Sequence, residues 1–181
     1  MIRSLAAASL AIALALSGGC ASISKSECLS ANWEDVGVRD GANGRGEEYL
    51  IQHSKACAEV GVTPDRESWL KGRDRGLERF CVPQRAYQIG EYGGNFDVGI
   101  CSGFDEDRLA RAYDSGRDVY RISQDISSLN SEIHRLRNLL GKKDLSQRER
   151  EVLIYRLGQL EYQRDDAQRA YDHARFRARN L

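Results

Sequence analysis

The sequence predicts a mainly α-helical protein: a small, disulfide-stapled, glycine-rich helical unit with little β-structure, followed by a long antiparallel helical hairpin. Three observations predict this fold class. Residues 28–103 hold all the cysteines after residue 20, both tryptophans, both prolines and twelve of the seventeen glycines. Residues 104–181 contain no cysteine, proline or tryptophan. Leucine and isoleucine recur there at alternating spacings of four and three, which is the repeat of a coiled-coil seam.

The first twenty residues resemble an export signal that ends at a lipid attachment site. Arg3 precedes an uncharged apolar stretch from Leu5 to Leu16, and small residues then lead to Cys20. These are the parts of a signal peptide, and the stretch is shorter than the roughly 20 residues that span a bilayer. We expect residues 1–19 to be removed, Cys20 to carry acyl chains such as palmitate, and residues 20–27 to form a tether.

The match to a lipid attachment site is imperfect, and an alternative stays open. Ser17 stands where such sites usually have leucine, so ordinary cleavage near Ala21 without lipid is the competing interpretation. Ala21, rather than aspartate, follows Cys20, which by resemblance to Gram-negative lipoproteins favours the outer membrane, facing the periplasm. The expected contact with the membrane is through the lipid alone.

The charge balance argues against two classes of partner. The chain has 27 basic and 27 acidic residues, and loss of Arg3 leaves 26 against 27, a net charge of −1. A balanced chain offers no basic patch for nucleic acid and no polybasic attraction to a lipid surface. We therefore expect no nucleic-acid partner.

The cysteine count predicts two disulfides. Cys28, Cys57, Cys81 and Cys101 are an even number in an exported chain, where disulfides form and persist. Three pairings are possible, and the sequential one, Cys28 with Cys57 and Cys81 with Cys101, closes the shortest loops. A metal site is the rival interpretation, but no gap between cysteines has the spacing of structural zinc. We expect no metal and no cofactor.

Helices dominate residues 28–103. Glu47 to Ala58 fits a short helix, and a second is predicted from Pro64 to about Phe80 with the Thr63 hydroxyl as its cap. Gly72 and Gly76 share one face of that helix. Because glycine costs about 1 kcal/mol inside a helix, this pair predicts the close approach of another backbone.

Proline and glycine divide the next segment. Pro83 interrupts the helix, a short helix or turn follows through Tyr87, and residues 90–94 form a glycine-rich turn. Residues 95–100 then alternate in the manner of a short strand.

Two seams separated by a short turn predict the hairpin. Ser146 and Glu149 form a capping box that starts the return helix after the interruption at residues 141–144. We expect the hairpin to pack against the first half or to self-associate. The first seam holds Ile122, Ile126, Leu129, Ile133, Leu136 and Leu140, the second holds Leu153, Leu157, Leu160, Arg164, Ala167, Tyr171, Ala174 and Ala178, and the packing positions are Leu109, Tyr113, Gly116 and Tyr120.

Several short strings of specific order and spacing lie in residues 28–83. They are Cys28-Leu29-Ser30-Ala31-Asn32-Trp33, Gly37-Val38-Arg39-Asp40-Gly41, His53-Ser54-Lys55-Ala56-Cys57, Pro64-Asp65, Gly72-Arg73-Asp74-Arg75-Gly76-Leu77 and Cys81-Val82-Pro83. In these strings the chain resembles a family of small Gram-negative envelope lipoproteins known only as a domain of unknown function. The resemblance runs from Cys28 to near Tyr120 and implies an exported lipoprotein with four framework cysteines, without supplying an activity.

No catalytic or nucleotide-binding motif is present, so we expect no enzyme. The main hypothesis is an envelope lipoprotein that is a structural or protein-interaction module. The alternative is a periplasmic small-ligand or glycan-binding module that uses Trp33, His53, Trp69 and Tyr92, and it depends on exposed tryptophan rings. For His53 a structural hydrogen-bonding role is favoured over catalysis.

Overall fold

A computed structural model describes residues 22–178 and confirms the mainly α prediction. The described residues contain no β-strand, and they form two compact units, 22–77 and 78–178. The composition boundary near residue 103 falls inside the second unit. The expected signal peptide, residues 1–19, and the expected lipid attachment residue, Cys20, lie outside the described residues.

Eight helical segments make up the described chain. The first unit contains α1 (Lys25–Ser30), α2 (Trp33–Ala42), α3 (Tyr49–Ala58) and α4 (Arg66–Phe80), whose last turn extends past residue 77. The second unit contains α5 (Pro83–Glu91), a 3₁₀ helix (Val98–Cys101), α6 (Glu106–Leu140) and α7 (Gln147–Ala178).

The start of α4 differs from the prediction. The helix begins at Arg66, and Asp65 rather than Thr63 caps it: Asp65 Oδ1 accepts the backbone N–H of Ser68 at 3.2 Å. Pro64 therefore precedes the cap instead of occupying the first turn. A carboxylate at this position also interacts favourably with the positive end of the helix dipole, whereas the hydroxyl of Thr63 is uncharged.

The strand predicted over residues 95–100 is wrong. Val98–Cys101 is a 3₁₀ helix, and the Asp97 side chain accepts the backbone N–H of Gly99 at 3.0 Å. No neighbouring strand in the described chain is available to pair with this segment. An alternating pattern of apolar and polar residues does not form a strand without a neighbouring strand. The Asp97 cap and the Cys81–Cys101 disulfide therefore favour the helical backbone of this segment.

Glycine brings α2 and α4 together in the first unit. A Cβ on Gly72 would collide with the carbonyl oxygen of Glu34, and one on Gly37 would collide with that of Trp69. Gly41 and Gly76 make equivalent contacts one turn further along. The close backbone approach predicted for α4 is confirmed, and its partner is a second glycine pair, on α2.

Disulfides staple both units with the sequential pairing. Cys28 is bonded to Cys57 with their Cα atoms 5.5 Å apart, which joins α1 to α3 in the first unit. Cys81 is bonded to Cys101 in the second unit, with a Cα separation of 5.6 Å. Each bridge lies within one unit, so each lowers the conformational entropy of that unit's unfolded chain and thereby stabilises its folded state.

An aromatic cluster joins the end of α4 and the loop after α5 to α6, and another glycine contact joins α5 to α6. Phe96 stacks on Phe80 at 5.2 Å between ring centroids and lies 5.9 Å from Tyr113. A Cβ on Gly116 would strike the carbonyl oxygen of Tyr87, and one on Gly90 that of Tyr113.

The predicted hairpin is present as α6 and α7. Ile133, Leu136 and Leu160 are buried between the two helices, and partly buried leucines extend the seam. Arg156 binds Glu132 at 2.8 Å and Arg137 binds Glu161 at 2.6 Å along its edges. Both arms are long, but no helix in residues 22–178 is apolar enough to cross a bilayer.

Candidate functional site

A buried carboxylate lies at the centre of the first unit. Asp40 on α2 is only 5% exposed. Its Oδ2 atom accepts the indole N–H of Trp69 at 2.8 Å and lies 2.7 Å from Nε2 of His53. Trp69 and His53 have no exposed surface. Three helices therefore meet at one carboxylate oxygen, because α2, α3 and α4 each supply one of these side chains.

The chain before α1 completes the arrangement. The Ser22 hydroxyl lies 2.8 Å from Nδ1 of His53, and the next residue, Ile23, is buried in the apolar core of the unit. Ser24 then caps α1 in a reciprocal capping box with Glu27. The segment that follows Cys20 and Ala21 is thus fixed to the folded unit from Ser22 onward.

Helical periodicity places these polar groups on buried faces. His53 shares a face of α3 with Leu50 and Cys57, and Asp40 lies one turn after Val36 on α2. A charged or polar side chain on such a face is stable only if its hydrogen bonds are satisfied. The mutual bonds of Asp40, His53 and Trp69 meet this requirement.

The hydrogen-bond pattern assigns the tautomer of the imidazole. A carboxylate oxygen only accepts, so His53 Nε2 carries the proton that is donated to Asp40. In the neutral imidazole, His53 Nδ1 then accepts the hydroxyl proton of Ser22. Tyr49 meets the ring edge-on at a centroid distance of 5.0 Å, and Trp33 lies at 6.2 Å.

A serine, a histidine and an aspartate in series also occur in hydrolases, but two features separate this series from a catalytic one. The ring nitrogens are used in the reverse order, since the catalytic arrangement has serine on Nε2 and aspartate on Nδ1. His53 is completely buried, so no substrate reaches the ring to exchange a proton. The arrangement is suited to holding helices and the N-terminal segment in place.

A buried arginine ties the α2–α3 loop to α4. Arg73 is 7% exposed, and its Nε donates to the backbone carbonyl of Arg45 at 2.7 Å. The guanidinium of Arg45 in turn lies 4.5 Å from the ring centroid of Tyr49, which contacts His53. The α2–α3 loop is therefore connected to the buried carboxylate site through Arg45 and Tyr49.

The four candidate ligand-binding residues have different surroundings. Trp33, His53 and Trp69 come together in the first unit, whereas Tyr92 is in the second, at the end of α5. Trp69 offers no ring face to a ligand and Trp33 is partly buried, while Tyr92 is 82% exposed. Of the four, Tyr92 is the residue that a dissolved ligand can reach most easily.

Sequence reasoning did not identify Asp40 or Ser22 as site residues. The available signal for Asp40 was its position between Gly37 and Gly41, on the face of α2 that meets another helix. No signal in the sequence identified Ser22. Among residues 22–178 no group of three or more His, Cys, Asp or Glu side chains could hold a metal ion.

Comparison with known proteins gives one match. Residues 32–118 match the model of a family described as "Protein of unknown function (DUF2799)". The match covers α2 to the first turns of α6, and therefore includes Asp40, His53, Trp69 and both disulfides apart from Cys28. No curated protein matches the chain, and no solved structure matches it.

Proposed function

We propose that this chain is an exported, lipid-anchored protein of the cell envelope that has no enzymatic activity and binds protein through its last long helix. The observation that carries the interaction part is an uncharged face on α7 centred on Gly158. The anchor rests on the sequence around Cys20 and on the way the chain is fixed at Ser22.

The structure of the N-terminal segment is consistent with an anchor close to the folded unit. Ser22 is bonded to His53 and Ile23 is buried, so only Ala21 separates Cys20 from the first fixed residue. At about 3.5 Å per residue, acyl chains on Cys20 would hold this end of the first unit within about 7 Å of the lipid surface. Of the expected tether, residues 20–27, the part that the structure describes, residues 22–27, belongs to the folded unit.

A stretch of one face of α7, between Glu151 and Asp165, lacks charge in a helix that is otherwise rich in it. Ile154, Tyr155 and Tyr162 are 55–70% exposed there. Fully buried centres of protein interfaces are depleted of charged residues and enriched in tyrosine. The face consists of Ile154, Tyr155, Gly158, Gln159, Tyr162 and Gln163, which together line a shallow groove.

Gly158 differs from every other α-helical glycine in the described residues. The others, at positions 37, 41, 72, 76, 90 and 116, each lie against the backbone of another helix. A Cβ on Gly158 would meet nothing within 4 Å. Since glycine weakens a helix by about 1 kcal/mol, its presence in the middle of α7 is explained if a second helix crosses there.

A second copy of the chain is the occupant that the spacing fits. Ile154 and Tyr162 lie four residues before and after Gly158. In an antiparallel pair with its two-fold axis at Gly158, Ile154 of one copy lies opposite Tyr162 of the other, and this contact occurs twice. A two-fold interface requires such self-complementarity.

Light scattering during size-exclusion chromatography tests the interface. The oxidised mature chain with Cys20→Ser is expected to form a dimer, and Gly158→Leu is expected to shift it to monomer. At concentrations where both chains are monomeric, Gly158→Leu should not lower the melting temperature. Val152→Ala, an exposed apolar substitution outside the groove, is the matched control. A monomeric chain over a wide concentration range would refute self-association.

Metabolic palmitate labelling tests the anchor separately. The unmodified chain should incorporate label, and Cys20→Ser should lose it while both disulfides still form. Labelling that persists in Cys20→Ser, or its absence from the unmodified chain, would exclude lipid at this residue.

A further inference from the structure

A second surface, independent of both the anchor and the Gly158 face, lies within the second unit. The end of α5, the middle of α6 and the last turns of α7 border an open-sided cavity of about 400 Å³. This volume is within the range of small-molecule sites. The cavity is lined by Glu91, Tyr92, Tyr120, Ser123, Tyr171 and Arg175.

Several contacts hold these side chains in place. Arg175 Nε lies 3.3 Å from a carboxylate oxygen of Glu91, and its guanidinium lies 5.6 Å from the ring centroid of Tyr171. Tyr120 packs on Gly93, where φ is +75° and a side chain would collide with the ring. Tyr92 is held by its backbone at the end of α5, and its ring is 82% exposed.

The lining has a specific chemistry. It consists of phenol rings, one hydroxyl and one ion pair, with no aliphatic side chain. An apolar or lipid ligand would find few matching surfaces. A sugar ring matches the lining, because its C–H faces pack on aromatic rings and its hydroxyls bond to phenols and carboxylates. Arg175 is the only cation in the lining, is half-exposed, and suits a carboxylate.

Glu91 and Arg175, the two partners of the ion pair, have different roles in the cavity. Glu91 is only 18% exposed and orients the Arg175 guanidinium from within the fold. Burial, and then the nearby Glu91 carboxylate, raise the pKa of the adjacent Tyr87 phenol. The cavity thus presents oriented polar groups without rearrangement of the helices.

We propose that this cavity binds one unit of a carboxylate-bearing saccharide, with the sugar ring against Tyr92 and Tyr120 and the carboxylate on Arg175. This activity goes beyond the proposed dimer and does not require it. It retains Tyr92 from the candidate ligand-binding residues and replaces the buried Trp69 and His53 with residues of α6 and α7.

Chemical-shift titration of the oxidised mature chain with Cys20→Ser tests this inference with a matched pair of sugars. Methyl β-glucuronide and methyl β-glucoside differ only at C6, which is a carboxylate in the first and a hydroxymethyl group in the second. Signals of the cavity residues are expected to shift with the glucuronide at millimolar concentration, and the glucoside should bind about tenfold more weakly, as expected for loss of one charge-assisted contact.

Four variants sharpen the test. Arg175→Gln should abolish the preference for the glucuronide, and Tyr92→Ala should weaken both sugars by about tenfold. Arg169→Gln and Tyr155→Ala remove an exposed arginine and an exposed tyrosine elsewhere on α7 and should change neither affinity. Absence of shifts with either sugar at about 10 mM, or a glucuronide preference that survives in Arg175→Gln, would overturn the proposal.

Discussion

The first unit and the α6–α7 hairpin are both helical, but different contacts hold their helices together. In the first unit, Gly37 and Gly72 allow α2 and α4 to touch backbone to backbone, and Asp40 bonds to two buried side chains. In the hairpin, leucine and isoleucine side chains fill the seam and ion pairs border it. A backbone contact has no room to adjust, whereas a side-chain seam can repack.

This difference predicts where the chain is sensitive to change and where it is available for binding. In the first unit, the buried polar side chains and the four glycines of α2 and α4 are used in internal contacts. The hairpin uses one face of α7 for its own seam and leaves a glycine unused on another. Substitutions at the backbone contacts, in the side-chain seam and at the unused glycine should therefore change the free energy of unfolding by different amounts and, at the unused glycine, in the opposite direction.

Gly72→Ala is expected to have the largest effect. Its Cβ would collide with the backbone carbonyl of Glu34, which cannot swing away as a side chain does. We expect a loss of about 3 kcal/mol or more in the free energy of unfolding, measured by urea denaturation of the oxidised protein. If Gly72→Ala unfolds like the unmodified chain, α2 and α4 are not in backbone contact.

Asp40→Ala should be nearly as harmful. It leaves the N–H groups of Trp69 and His53 buried without an acceptor, and each such group costs about 1–3 kcal/mol. The same denaturation experiment should show a loss of about 3 kcal/mol. Asp35→Ala, an exposed acid on the same helix, is the control and should be almost neutral.

Leu136→Ala is expected to cost less than either change in the first unit. The side chain is 2% exposed in the seam, but the two helices can move closer to fill part of the space. A loss of about 2 kcal/mol is expected by thermal unfolding, with Val152→Ala, 60% exposed, as the control. A loss greater than that caused by Gly72→Ala would contradict the comparison between the two modes of packing.

Gly158→Ala should act in the opposite direction. Nothing lies within 4 Å of the added Cβ, so the gain in helix propensity is about 1 kcal/mol of stability in the monomer. The thermal midpoint measured under monomeric conditions should rise while dimerisation weakens. A drop in the midpoint would show that Gly158 is already in contact within one chain.

The smallest effect should be the acid dependence of the α7 cap. Hydrogen bonds from the Ser146 side chain, and then from its backbone, lower the pKa of Glu149. A lowered pKa gives stability that is present above the unfolded value of about 4.3 and is lost as the pH falls through the folded pKa. The stability difference between the unmodified chain and Glu149→Gln should therefore shrink below about pH 4, and a difference that is constant with pH would count against this cap.

Much of the architecture follows from local patterns. The seam spacing predicts α6 and α7, the Ser146–Glu149 box predicts where α7 starts, and Gly72 with Gly76 predicts a close helix contact. These features depend on neighbours within one or two turns, which the sequence displays directly. The segment at residues 95–100 shows the limit of this reasoning, because an alternating pattern becomes a strand only when another strand pairs with it.

The sites depended on tertiary structure. Asp40, His53 and Trp69 come from three helices, and Tyr92, Tyr120 and Tyr171 from three others, so no spacing along the chain connects them. Trp69 was a candidate for an exposed ring, yet its indole N–H serves the buried carboxylate. Whether a side chain is buried with a partner or open to solvent depends on what packs over it.

The sequence by itself determined the helical class, the positions of the long helices and the cysteines available for pairing, since periodicity, caps and composition act over short distances. Only the tertiary structure decided which carboxylate was buried, which glycine remained without a neighbour and which tyrosines share a cavity. The physical reason is that burial and hydrogen-bond satisfaction are properties of groups brought together from distant parts of the chain.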